Sequence, residues 1–571
     1  MMKRLLFATL IIFFVAPGAV AQTGGSPQNS LLPEIDPQDI EIRSEFKARF
    51  PGIRRQPILG FNPKPRVFRI DPNRVPFMES DREAVANIAL TELDRPVPPQ
   101  RSILTNPKRG SIYLKSGIGS FLTPELEAYA FRRLNEQSII SGNMDFTSSN
   151  GHLNNQDSGF RFFNLNGFYG IDLKNGVKAS VKTGAFNDFN HLFDLSPNVP
   201  NDNSGTPQKD YIGFNAGVII EDNQNSLEGW QLYLNGAVLD VDLMAPNAAL
   251  RGGQGEQHIQ AGYERTWAGK KLYDVFTGNI DLRMGNYSSE ENGNTQWMNT
   301  QATFEYSTLY NYSTTISLEG GLAYLSDGNR NGVAFISNAS MHHTIKQGLS
   351  LSGALFTRPE MKTLWEHHQT NRFIGANAML EYQYEMGVNG GLEYAPIEAT
   401  KLYSTVTYKF VDNYGYYMRN EELFGANEEQ LFYEVNYADI NSFKLEVGIA
   451  QQITSDRFWF DGRVYAQRME LKSGGDVPFE ERLGAEGMLS FKPLSDVSIS
   501  TWLQYVGKRE DPANEEDLSA YSLLNAEAEY SLNEKFGVYF KVLNILGQKY
   551  EIWQGYEERP FQIFGGIKIN L

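Results

Sequence analysis

No cysteine occurs in the 571-residue chain, which excludes disulfide frameworks, thiolate nucleophiles and cysteine-ligated zinc or iron–sulfur sites. Positive charge is scarce as well. Lys and Arg number 51 against 68 Asp and Glu, a formal charge of −17, so the basic surface that nucleic-acid binding needs is missing. Past residue 21 no apolar run approaches the ~20 residues of a membrane-spanning helix, and mean hydropathy is −0.40. What the chain has in quantity is 29 Tyr, 36 Phe and 52 Gly, a composition that suits a sheet-rich protein with aromatic girdles.

The first residues read as an export signal. Lys3 and Arg4 precede an apolar run from Leu5 to Val15, and Ala19 and Ala21 frame a small-x-small cleavage pattern before Gln22. This predicts a secretory signal peptide over 1–21, too short to serve as an anchor. Residues 22–110 then form a Pro-rich basic periplasmic or plug-like segment. Between positions 46 and 78 stand eight cations, Lys47, Arg49, Arg54, Arg55, Lys64, Arg66, Arg69 and Arg74, against the single acid Asp71. That stretch carries +7, which leaves −24 for the remainder. Its six prolines forbid a regular helix and most sheet positions. Ser80-Asp81-Arg82-Glu83 reads as a capping box that opens a short helix near 81–94.

From residue 111 onward the pattern changes to period two. Phe536, Val538, Phe540 and Val542 share one face, with Gly537, Tyr539 and Lys541 on the other. About twenty-two such segments follow one another, with a range of 18 to 24, and many are longer than the ~5–6 residues of a globular strand. Short turns, among them Lys174-Asn175-Gly176 and Lys346-Gln347-Gly348, alternate with long polar loops near 190–209, 244–255, 359–380, 413–440 and 547–559. Short turns on one rim and long loops on the other are the pattern of a transmembrane antiparallel β-barrel, so 111–571 is read as an outer-membrane barrel of a Gram-negative bacterium. Phe561, Ile563, Ile567, Ile569 and Leu571 alternate to the end of the chain and define the barrel-closing strand, with Lys568 and Asn570 turned to the lumen or periplasmic rim.

The C-terminal stretch Val542-Leu543-Asn544-Ile545-Leu546-Gly547-Gln548-Lys549-Tyr550, followed by Gly555-Tyr556 and Pro560-Phe561, resembles the end of TonB-dependent receptor barrels. The opening, Lys115-Ser116-Gly117-Ile118-Gly119-Ser120-Phe121 with Asp145-Phe146-Thr147-Ser148-Ser149-Asn150-Gly151, is similar to barrels of that family of the Bacteroidota type. The resemblance covers 111–571 and implies an outer-membrane barrel that takes up or passes a solute. Its expected partners are outer-membrane lipid and the barrel-insertion machinery. The family's plug, a mixed α/β domain of well over a hundred residues, has no counterpart in the short Pro-rich segment. Coupling to TonB therefore rests on Asp39-Ile40-Glu41-Ile42-Arg43 alone, an alternating stretch able to add to a partner's sheet edge.

No grouping in the sequence supports catalysis, and no cofactor or metal is expected. His342-His343 and His367-His368 are adjacent pairs, which on a strand point to opposite faces, and His367-His368 falls in a long loop. Asp327-Gly328-Asn329-Arg330-Asn331-Gly332 lacks the glutamate of a calcium loop, and Gly252-Gly253-Gln254-Gly255 reads as a plain loop. The alternative to solute passage is a structural or assembly subunit whose barrel anchors lipoprotein or periplasmic partners. Arg54, Arg55, Lys64, Arg66, Arg69 and Arg74 are the candidates for contact with the lumen or with such a partner. Deleting residues 23–105 should raise single-channel conductance if the basic segment occludes the lumen, and should leave it unchanged if the segment is a tether.

Overall fold

The computed structural model describes residues 112–571, apart from 155–156, 174–175, 194–205, 226–227, 245–251, 272, 290–292, 398, 420–432, 455–456 and 511–516. The signal-peptide positions Ala19 and Ala21, the helix near 81–94 and the basic residues of 46–78 lie outside the described residues.

Twenty-two antiparallel strands form one sheet, from β1 (Ile112–Gly119), β2 (Thr123–Arg133) and β3 (Ser138–Ser149) to β20 (Tyr521–Ser531), β21 (Phe536–Leu543) and β22 (Gln562–Asn570). Each strand pairs with its sequence neighbours, and β22 pairs with β1 from Tyr113↔Asn570 to Gly119↔Phe564. Ile112 and Leu571 exchange backbone hydrogen bonds of 2.9 and 2.8 Å at the end of that ladder. The sheet is thereby a closed barrel without a free edge, the sheet form able to satisfy its backbone inside lipid.

Alternation sorts the side chains. On β7 (Glu228–Met244), Leu232, Leu234 and Val238 are exposed on the outer face, while Leu239, Val241 and Leu243 are buried inside. Ile563 and Ile567 of β22 lie on the same outer belt, with Phe561 and Leu571 exposed just beyond its two ends and Ile569 half-buried. Lys568 points inward to Glu529. Exposed apolar residues on one face and hydrogen-bonded polar ones on the other are what a lipid-facing wall requires.

The largest excess over the expected strand lengths lies on the long-loop side. The stretches 413–419 and 433–440, expected as loop, continue β15 (Thr400–Arg419) and β16 (Tyr433–Thr454). These strands have 20 and 22 residues, about twice what a tilted strand needs to cross a bilayer. The extra length stands clear of lipid and carries no outer apolar alternation, so VDNYGYY and YEVNYAD read as loop. Gly252-Gly253-Gln254-Gly255 likewise opens β8 (Gly252–Ala268) rather than lying in a loop.

Glycine earns its abundance on the inner wall, where aromatic rings lie across it. The Tyr539 ring covers Gly566 and Gly117 on the two seam strands, Tyr403 covers Gly448, and Tyr465 covers Gly484. A Cβ on Gly566 would run into the Ser116 carbonyl and into the Gly117 Cα at 2.7 Å. Backbone cannot yield as a side-chain tip can, so Gly566→Val should cost about 1–3 kcal/mol. The expected readout is a lower temperature for the heat-modifiable gel shift. Gly320→Val, with open space around its Cβ, should leave that temperature unchanged.

Candidate functional site

The feature that fills the long-loop mouth is the segment 361–382, between β13 (Leu349–Glu360) and β14 (Gln383–Ile397). It carries the helix α1 (Leu364–Thr370). Thr363 caps α1 by accepting from the Glu366 N–H, and Glu366 returns the bond to the Thr363 N–H at 2.6 Å, a reciprocal capping box. Glu256 of β8 accepts from the Leu364 N–H at 2.7 Å, so the wall satisfies another orphan donor of the first turn. His367 and His368, expected in a long loop, do fall in this connection, on the short helix it carries. Both histidines sit on α1 and are buried.

Wall side chains hold this cap at its polar atoms. Lys209 Nζ, on β6 (Gln208–Asn225), donates to His368 Nδ1 at 3.1 Å and to the Ile374 carbonyl at 3.0 Å. His367 Nδ1 is hydrogen-bonded to the Tyr417 hydroxyl at 3.1 Å. Tyr437 donates to the Met379 carbonyl at 2.9 Å, and Gln254 to the Ala378 carbonyl at 2.6 Å. The Asp327 carboxylate accepts from the N–H groups of Asn329, Arg330 and Tyr382 and is occupied as a turn-former, in keeping with a plain loop.

Around these bonds lies one apolar cluster that reaches across the mouth. Phe186, Tyr211 and Val241 enter it from one stretch of wall, Tyr417, Tyr433 and Val435 from another, and Leu364, Phe373 and Ile374 from the cap. Other loops close over it. Phe373 stacks on Tyr556 with ring centroids 3.6 Å apart, Phe193 meets Tyr556 edge-on at 5.2 Å, and Trp553 packs against Tyr417, Tyr433 and Phe479. Beside the cap a narrow cleft is lined by Lys362, Tyr414, Tyr416, Phe479, Glu480 and Trp553. Burial first, and then the Glu481 charge, push the Glu480 carboxyl up to about 7.

Lower in the lumen, ion pairs span the seam. Lys115 of β1 reaches Glu527 of β20 at 2.5 Å, and Lys541 of β21 reaches Glu125 of β2 at 2.5 Å, each passing over two intervening strands. The Tyr539 hydroxyl donates to Glu125 at 2.6 Å. Alternation placed such residues inside, but these pairings join positions more than 400 apart and have no local signal. Among the described residues no group of three or more His, Asp or Glu side chains is placed to hold a metal ion. His342 and His343 stand on β12 (Asn331–Lys346) with opposite orientation, and His343 bonds to Thr314 at 2.8 Å.

No family model and no curated protein sequence matches the chain, and the likeness to known proteins is one of structure. The ferric-catecholate import receptor Fiu of E. coli K12 superposes with a TM-score of 0.61 at 10% identity, over 82% of each chain. The ferripyoverdine receptor of the outer membrane of Pseudomonas aeruginosa gives 0.62 at 11% identity, over 82% of this chain and 72% of its own. The copper transporter OprC gives 0.61 at 11% identity, over 82% of this chain and 81% of its own. The fold is that of TonB-dependent receptor barrels. These three solved structures are two receptors and a transporter.

In this receptor-like barrel the cap contains the groups that titrate against it. Burial first and then the Lys362 ammonium hold the His367 imidazole down to about 3. Burial, Lys209 and His367 hold His368 well below its ordinary value. A folded-state pKa below the unfolded ~6.5 means the open state binds more protons, so the histidines' contribution to cap stability is complete above ~6.5 and falls as pH drops toward 3. Each unit in that window costs up to about 1.4 kcal/mol per histidine. Hydrogen exchange of amides 364–371, normalised to intrinsic rates, should therefore be at least about tenfold faster at pH 5 than at pH 7. His367→Asn with His368→Asn should flatten the difference.

Proposed function

We propose that this chain is a barrel of the outer membrane of a Gram-negative bacterium that takes up a solute through a mouth gated by the segment 361–382. The observation that carries this reading is the filled mouth. A 22-strand barrel is wide enough to leave a channel, yet here cap and wall share one buried apolar cluster. A gate of this kind fits binding followed by controlled passage better than free diffusion. The likeness to import receptors over 82% of the chain supports the same class of function. The basic residues Arg54, Arg55, Lys64, Arg66, Arg69 and Arg74 retain the role proposed from their charge, contact with the lumen or with a periplasmic partner.

The lack of cysteine makes the gate directly testable. A Cβ built on Gly252 would lie 3.6 Å from the Cβ of Ala376, within the spacing of a disulfide. Gly252→Cys with Ala376→Cys should therefore tie the cap to β8. Planar-bilayer recordings should show openings in the reduced protein, their loss on oxidation and their return with reductant. Equal openings in both forms would remove 361–382 as the gate. Recovery of the barrel with bound lipoproteins, and no openings in either form, would favour the structural-subunit reading.

A further inference from the structure

Beneath the cap, β9 (Val275–Ser289) and β10 (Gly293–Asn311) place two buried donors without partners side by side, Arg283 Nε and the Trp297 indole N–H. Arg283 of β9 stands directly opposite Gln260 on β8 and Asn299 on β10. Its Nε is buried without a partner, and the guanidinium makes no ion pair or hydrogen bond among the described residues. Its carbon lies 5.5 Å from the centre of the Trp297 ring, so the cation is held over an aromatic face. Trp297 is buried and its indole N–H is unpartnered; the Tyr382 hydroxyl, at the cap's C-terminal end, is unpartnered too. Tyr382 is near enough that the Arg283 charge pulls down a phenol pKa that burial pushes up.

The neighbouring carboxylates are otherwise engaged. Asp281 accepts from Tyr233 and from Gln260 Nε2 at 2.9 Å, Asp327 accepts three backbone N–H groups, and Glu256 accepts the Leu364 N–H with Oε2 while its Oε1 faces His258 Nδ1 at 3.3 Å. Directly opposite Arg283, Asn299 Oδ1 is a buried atom without a partner, in an amide that can present its NH₂ in the same place. Guanidinium, indole N–H, phenol and amide are thus gathered as donors. A cation would meet Arg283 with repulsion, and a neutral polyol would call for acceptors as well as donors.

We infer that Arg283, Trp297, Asn299 and Tyr382 form a lumenal subsite for an oxyanion, a carboxylate or phosphate group carried by the solute as it leaves the cap. The flat guanidinium fork suits either group. This rests on the solute-uptake reading and deepens it. Titration calorimetry of the full-length protein in detergent, with citrate, inorganic phosphate and glucose as probes, tests it. At least one of the two anions should bind saturably and glucose should not. Citrate alone assigns a carboxylate, and phosphate alone a phosphoryl group. Arg283→Gln should weaken binding by about tenfold or more while keeping the heat-modifiable gel shift. Trp297→Phe keeps the ring and removes the N–H, and should weaken it by about threefold or more; it decides the matter if Arg283→Gln does not fold. Wild-type protein without saturable binding of either anion, or an Arg283→Gln protein that folds and binds both unchanged, would overturn the subsite. Anion binding that survives alongside equal openings in the oxidised and reduced disulfide variant would overturn the gate and leave the subsite standing.

Discussion

Pairing of the last strand with the first is the constraint on which everything else depends. Until β22 meets β1, both strands present open N–H and C=O groups, and the outward side chains have no reason to face lipid together. Closure fixes the parity of every strand at once. It also creates an interior too wide for wall side chains to meet across it, so the interior must be lined with satisfied polar groups or filled from elsewhere. The chain does both. Lys115, Lys541 and their glutamates line the seam from inside, and the segment 361–382 fills the mouth.

The parts legible in the sequence are those that closure repeats. A membrane-crossing strand must alternate because lipid lies on one side, and all twenty-two segments could be located from that alternation. Legibility fails where lipid stops. The ends of β15 and β16 are strands by hydrogen bonding only, with tyrosines and carboxylates on both faces, and their sequence gives no period to read. The α1 helix is seven residues long and is held by Glu256 and Lys209 from distant strands, so local propensity says little about it. Its capping box, Thr363 to Glu366, was a readable signal beside the His pair. The Lys209–His368 and Arg283–Trp297 contacts depend on strand register and inward parity together, and alternation alone supplies only the second.

Seam and cap use different chemistry for different ends. The seam is clamped by charged pairs that cross two strands each, where removing one partner strands the other inside the wall. Such a contact suits a junction that forms once. The cap is held by hydrogen bonds from Lys209, Gln254 and Tyr437 to the carbonyls of Ile374, Ala378 and Met379, with apolar side chains packed around them.

That difference bears on how the cap can move. If 361–382 swings away, the Lys209, Gln254 and Tyr437 donors lose backbone partners while remaining on rigid strands. An unpaired donor costs about 1–3 kcal/mol while it stays dry, and much less once another acceptor takes its place. Water admitted by the opening supplies one such acceptor, and a solute rich in oxygen supplies a better-placed one. On the proposed uptake reading, the wall donors that hold the cap are groups an entering ligand would engage. On that reading a ligand that replaces the lost carbonyls lowers the cost of the motion that admits it.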